Sequence, residues 1–339
     1  MRGLWEKSLA HAMDTVMCAM MNRLQWRLRH RACTRETFDA YLDACEPLTP
    51  EEFFDPGDTR IPPPTAIDPL VILEWPSPVR SGFAENDTAR ALWYVGPNGP
   101  SAPTAMVFHA LLSASDIGYR RLATWFHRHG WNMVFPHLPF HYSRTPLGYR
   151  NGALAVTADL PLVAETLRQA VAESRQILTF LREQGCEEFG LLGTSYGGWV
   201  SSLLSFVEPA FQFITLIQPI IDVEHVTWES PAAAAIRRIV SANGITPGAA
   251  HRHSHLTSPL HGRPLTPTDR ITLIGGKYDT VAPSAGLREL ANAWSGATFV
   301  EVRQGEMAVL GSRTRYWDYG PDDARDVLVL VHGYRGDHH

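Results

Sequence analysis

The spacing of apolar residues changes along the chain and divides it into helices and strands. Up to residue 45 they recur at helical intervals, with Leu4, Leu9, Met13, Val16, Met17, Met20, Met21 and Leu24 on one stripe. That predicts an N-terminal helix packed on the main domain. Residues 46–69 lose the pattern. They are rich in proline and acidic side chains, Ile61-Pro62-Pro63-Pro64 among them, and read as a linker.

From residue 71 short apolar runs alternate with helical stripes. Strands are predicted over 71–75, 89–95 and 105–108, the third running into His109-Ala110-Leu111-Leu112. A helix over 117–129 carries Tyr119, Leu122, Trp125 and Phe126, and Gly130 stops it. A strand over 131–135 leads to the histidine-rich stretch PHLPFHYSR, residues 136–144. A long helix over 160–184 starts with Pro161 in its first turn and ends at Gly185. Further strands fall at 189–192, 211–218, 271–274 and 298–303, with helices at 232–240 and 285–293. This alternation predicts an α/β protein with a doubly wound, mostly parallel sheet. Sites on such sheets form at the C-terminal ends of strands. His109, the loop around His141, Ser195 and Asp279 all fall at such ends.

The chemistry centres on Gly193-Thr194-Ser195-Tyr196-Gly197, a G-x-S-x-G pattern. Three fixed positions of such common residues arise by chance in roughly one chain in ten of this length. Context strengthens the signal: an apolar strand precedes the pattern, and Trp199, Val200, Leu203 and Leu204 give helical spacing after it. A serine on so sharp a strand-to-helix turn is held with its hydroxyl exposed above the sheet. The flanking positions crowd neighbouring backbone, so glycine suits both. The following helix aims its positive end at the place where an oxyanion would develop.

Composition narrows the classes. The chain has 339 residues, enough for one large α/β domain with additions. With 45% hydrophobic and 19% charged residues it reads as an ordinary globular protein. A formal net charge of −5 argues against nucleic acid as a partner. Cys18, Cys33, Cys45 and Cys186 show no C-x-x-C spacing, which fits a reducing compartment and offers no metal ligand set. No apolar run reaches the ~18 residues of a membrane span, and charges interrupt every apolar stretch near the N-terminus. A cytoplasmic protein is expected. No dinucleotide or P-loop fingerprint is present, so no cofactor is expected and a small molecule is the expected partner. Oligomeric state is left open.

Residues 70–305 resemble the alpha/beta-hydrolase superfamily, in its serine esterase-like form, and within it a bacterial subgroup mostly without assigned substrates. Three motifs match in order. His109-Ala110 resembles the step after the third strand, 193–197 resembles the nucleophile elbow, and Gly276-Lys277-Tyr278-Asp279 resembles the segment that delivers the acid. The resemblance implies Ser195 as nucleophile and Asp279 as the acid that orients the base. It implies the backbone N–H groups of Tyr196 and Leu111 as the oxyanion hole. Residues 220–269 would form a cap-like insertion and residues 1–69 an N-terminal extension. The implied activity is hydrolysis of small carboxylic esters through an acyl-enzyme.

One element of that pattern is missing. The resemblance requires a histidine on the loop after the eighth strand. Here the loop reads Gln304-Gly305-Glu306-Met307, and no histidine occurs between His261 and His332. Removing a triad base or nucleophile costs on the order of 10⁶ in kcat in a well-studied serine protease. Three explanations stand open. Glu306 could serve as the base beside Asp279. A relocated histidine could serve, from His109, His141 or the group His251, His253, His255 and His261. Or the first domain is cut off at about Gly305, where its histidine should be, and the start of another hydrolase is appended. The alternative function is that of a catalytically impaired or non-hydrolytic member that binds a small molecule or uses its oxyanion hole for another reaction. Residues 306–339 are atypical for the fold. Val327 to Val331, followed by His332-Gly333, resembles the third strand of a second alpha/beta-hydrolase, as a gene fusion or frameshift would leave.

Overall fold

The structure, a computed structural model, describes residues 2–306 except Ala114. The similarity to a second hydrolase beyond position 306 lies outside the described residues. In chain order the helices and strands are α1 (Arg2–Arg27), α2 (Arg35–Cys45), α3 (Pro50–Phe53), β1 (Leu70–Pro76), β2 (Thr88–Tyr94), β3 (Thr104–Phe108), α4 (Ile117–Arg128) and β4 (Asn132–Pro136). They continue with α5 (Leu160–Glu183), β5 (Phe189–Thr194), α6 (Tyr196–Leu204), β6 (Phe211–Ile217), α7 (Val223–Glu229), α8 (Ala234–Ala242), α9 (Ser254–Thr257), β7 (Ile271–Gly276), α10 (Ser284–Ala293) and β8 (Thr298–Val302). The expected α/β class and every expected strand are present, with ends shifted by no more than two residues.

Eight strands form one sheet in the order β1-β2-β4-β3-β5-β6-β7-β8. β1 and β2 are antiparallel to each other, and β2 is antiparallel to β4; every other neighbouring pair is parallel. From β3 the chain moves outward to β4, then returns to the other side of β3 with β5. The strand order therefore reverses between β3 and β5, and a crevice opens at their C-terminal ends. Both central strands lie under helices on each face. β3 and β4 are buried at every position, as their unbroken apolar runs require.

Two N-terminal expectations change. The region before residue 45 is two helices rather than one. The chain breaks after Arg27 and restarts at Thr34, whose side chain caps α2 by accepting from Thr37 N. The stretch read as a linker is fastened to the domain. Thr49 and Glu52 form a capping box, and Phe53, Phe54 and Ile61 are buried in the main core. Arg168 and Arg175 of α5 hold the carbonyls of Phe53 and Phe54. The proline-rich composition hid these anchors.

The insertion between β6 and β7 is helical. Ile236, Ile239 and Val240 of α8 share a satellite core with Phe38 and Leu42 of α2. Asn22 of α1 accepts from Ala235 N at 2.6 Å and donates to Pro231 O at 2.8 Å. The N-terminal helices and the insertion thus clamp one another over the crevice. No helix among the described residues is long and apolar enough to cross a membrane.

Candidate active site

Ser195 sits between β5 and α6 with φ 51° and ψ −115°, in the left-handed half of backbone space that a non-glycine residue rarely occupies. Packing enforces the strain. A Cβ on Gly193 would lie 2.4 Å from Gly197 O, and a Cβ on Gly197 would lie 2.6 Å from the carbonyls of both Phe108 and His109. The turn is therefore wedged against the end of β3. Ser195 N donates to Ile217 O at 2.8 Å, which fastens it to β6 as well. Tyr196 opens α6, so its N–H is one of the donors that a helix start leaves without an intrahelical partner.

The loop after β3 faces this turn. Leu112 also has positive φ, 59°, and its N–H points to Nε2 of His141 at 3.4 Å. His141 and His109 are both fully buried and tied to backbone. His141 Nδ1 lies 2.9 Å from Pro139 O; His109 Nε2 accepts from Leu138 N at 3.2 Å while its Nδ1 lies 3.0 Å from Ala110 O. These partners place the proton on Nδ1 of each ring. Burial, reinforced by Arg144, pushes His141 down to about 4, so it is neutral near pH 7. Arg144 itself is buried and forks onto Glu173 at 2.6 and 2.7 Å. The histidine-rich loop is thus a scaffold whose rings orient the β3 loop. Of the later histidines, His253 turns to Ala250 O and His255 to Leu48 O, within the insertion and its contacts.

The acid end is built from distant segments. Asp279 is buried after β7; its Oδ1 accepts from Val281 N at 2.8 Å and Ala282 N at 2.9 Å, and its Oδ2 accepts from Gln218 Nε2 at 2.7 Å. Gln218, with φ 47° at the end of β6, also donates to Gly305 O at 2.7 Å. It joins the β7 and β8 loops and so sets the position of Glu306. No sequence pattern singled it out.

Glu306 lies close enough to Ser195 and Asp279 for both to act on its proton. Its residue surface is partly exposed, but carboxyl Oε2 is buried without a hydrogen-bond partner. Burial first, then the charges of Asp279 and Asp14, raise its pKa well above the usual carboxylate range, while the contact with Ser195 opposes the rise. Burial also pushes Asp279 up to about 6, against the three donors that hold its charged form. Each carboxyl is thus raised above the ordinary carboxylate range, by burial first.

Helix α1 closes this end. Asp14 is fully buried and accepts from Thr280 N and Oγ1 at 3.1 and 3.0 Å. It leaves no room at Gly305, where a Cβ would meet Asp14 Oδ1 at 2.9 Å. Cys18, one helical turn on, is pushed up to about 11 by burial and by Asp14, Asp279 and Glu306. It stays a thiol. No group of three or more His, Cys, Asp or Glu among the described residues is arranged to hold a metal ion.

No protein-family model matches the chain, and no curated protein matches it either. Solved structures do. An acetyl xylan esterase from a Paenibacillus species superposes with a TM-score of 0.54 at 11% identity, over 82% of this chain and 92% of that one. Acetyl xylan esterase 1 from a Thermoanaerobacterium species gives 0.51 at 14% identity, over 84% and 94%. The chain has the alpha/beta-hydrolase fold. Within that fold Ser195 lies in the turn after β5 and Asp279 in the loop after β7. The position after β8, which the sequence gives to glutamate, carries a partly buried carboxyl whose pKa both Ser195 and Asp279 influence.

Proposed function

We propose that the chain hydrolyses small carboxylic esters, with Ser195 as nucleophile and Glu306 as its base. The observation that carries this reading is the strained Ser195 turn with the Glu306 carboxyl beside it and Asp279 beyond. An ordinary carboxylate is too weak a base for a serine hydroxyl. Burial improves it: a base whose pKa is raised towards the working pH takes a proton more readily once ionised.

In this reading Ser195 Oγ attacks the carbonyl carbon and its proton passes to the Glu306 carboxylate. The oxyanion forms against the N–H groups of Tyr196 and Leu111, each worth roughly 3–4 kcal/mol to the transition state. Glu306 returns the proton to the departing alkoxide. Water then attacks the acyl-enzyme, losing its proton to Glu306, and the acid leaves as Ser195 Oγ is reprotonated. Asp279 holds the far side of Glu306, and Gln218 fixes Asp279. His109 and His141 position the β3 loop.

A second reading has its own support. The Glu306 proton is held by burial and two neighbouring carboxylates, which favours a protein that binds an ester or acid without turning it over. Fluorophosphonate labelling, read by intact mass and peptide mapping, separates the two. Stoichiometric adduct on Ser195, lost in Ser195→Ala and rising with pH, supports the hydrolase. Absence of adduct up to alkaline pH, with the fold intact, leaves the binding protein.

A further inference from the structure

A cleft of about 700 Å³ opens between the C-terminal half of α1 and the loops after β3 and β4. Met20, Arg23, Leu24 and Arg27 line it from α1, and Leu112, Tyr142, Arg150 and Asn151 line it from the body. Its size is that of a small-molecule site. Its charge is one-sided, with three guanidinium groups and no carboxylate. Among the described residues none of the three arginines takes part in an ion pair.

The cleft adjoins the site. Leu112 follows Leu111 directly. The Tyr142 ring stands edge-on to His109 at 4.9 Å, and the His109 carbonyl is the group that Gly197 is wedged against. Along α1 the charge reverses: Asp14 faces Glu306 and Asp279, whereas Arg23 and Arg27 face the cleft. At 1.5 Å per residue the two arginines lie roughly 8–14 Å along the helix axis from Cys18, which sits beside the carboxylates.

We propose that this cleft binds the free carboxylate of a monoester of a dicarboxylic acid, placing the ester end at Ser195. Guanidinium forks match carboxylate geometry, and Met20, Leu24 and Leu112 cover an aliphatic spacer. The carboxylates at the other end of α1 repel the charged end and fix the orientation. This proposal rests on the ester-hydrolase reading for its substrate, but its binding test does not.

The test titrates the full-length Ser195→Ala chain by calorimetry with monomethyl glutarate and with dimethyl glutarate, which share a skeleton and differ by one charge. The monoanion is expected to bind at least ten-fold more tightly. That preference is expected to disappear in the Arg23→Gln/Arg27→Gln/Arg150→Gln variant and to weaken with salt. Because all three side chains are exposed, the variant is expected to fold, as circular dichroism would verify. Equal binding of the two esters, no binding of either, or a preference unchanged in the triple variant each overturns the site. Methanol release by the Ser195 protein is measured alongside. Binding of the monoanion without release keeps the site and removes the hydrolase reading. Release from both esters at equal rates does the reverse.

Discussion

The two ends of the site are held in different ways. The serine end is steric: Ser195 keeps its strained φ because Gly193, Gly197 and the end of β3 leave the backbone nowhere else to go. The acid end is electrostatic. Glu306, Asp279 and Asp14 come from segments far apart in the chain; Asp14 and Asp279 are buried and Glu306 is partly so. Geometry at the first end is insensitive to pH, whereas charge at the second depends on it. Under the proposed function, the proton inventory of the carboxylates decides when the fixed serine can react.

The largest effect tests the steric end. Gly197→Ala puts a methyl 2.6 Å from two carbonyl oxygens that cannot move without displacing β3. We expect a loss of about 3 kcal/mol in urea unfolding and no fluorophosphonate adduct. Normal labelling would mean that the turn is held by something other than this wedge.

Next comes the proposed base. Glu306→Gln keeps the shape and removes the ionisable group, and ester turnover should fall roughly 10²–10⁴-fold. In the unaltered protein turnover should rise as pH climbs through the raised pKa of Glu306, because only its ionised form accepts the serine proton. A flat pH profile, or full activity in Glu306→Gln, would place the base elsewhere.

A smaller effect concerns stability. Both carboxyls are raised on folding, so the folded chain holds protons that the unfolded chain has released. Between pH ~4 and ~6 for Asp279, and further upward for Glu306, stability should fall as pH rises. Denaturant midpoints measured across that range should decline, and less steeply in Glu306→Gln. A rise with pH over the same window would contradict the burial of the pair.

The smallest is a tuning effect. Asp14→Asn keeps an acceptor for Thr280 and removes one negative charge near Glu306. The midpoint of the pH–activity profile should move to lower pH, with little change in the plateau rate. A plateau change alone would make Asp14 a packing residue.

The serine end was legible early because its determinants are local. The apolar run, the two glycines and the helical stripe after them lie within about fifteen residues of Ser195. The acid after β7 and the glutamate after β8 could be located by counting along the fold's motifs. Gln218 could not, since nothing in a strand's residue pattern announces a positive φ or a bond to a loop 87 residues away. Asp14 offered a faint signal: Ala10, Asp14 and Cys18 recur at helical spacing and form a small, polar line beside the apolar stripe.

The sequence by itself determined the order of the strands along the chain, the strand-turn-helix around Ser195 and the glutamate, rather than histidine, at position 306. Each depends on side-chain size or spacing within one element. Tertiary structure decided that the segment after α2 is pinned to the core, that His109 and His141 face backbone, and that α1 lies across the acid end. It also raised the pKa of Glu306. Desolvation and charge act through space, and the groups that supply them here come from residues 14, 279 and 306, which only folding brings together.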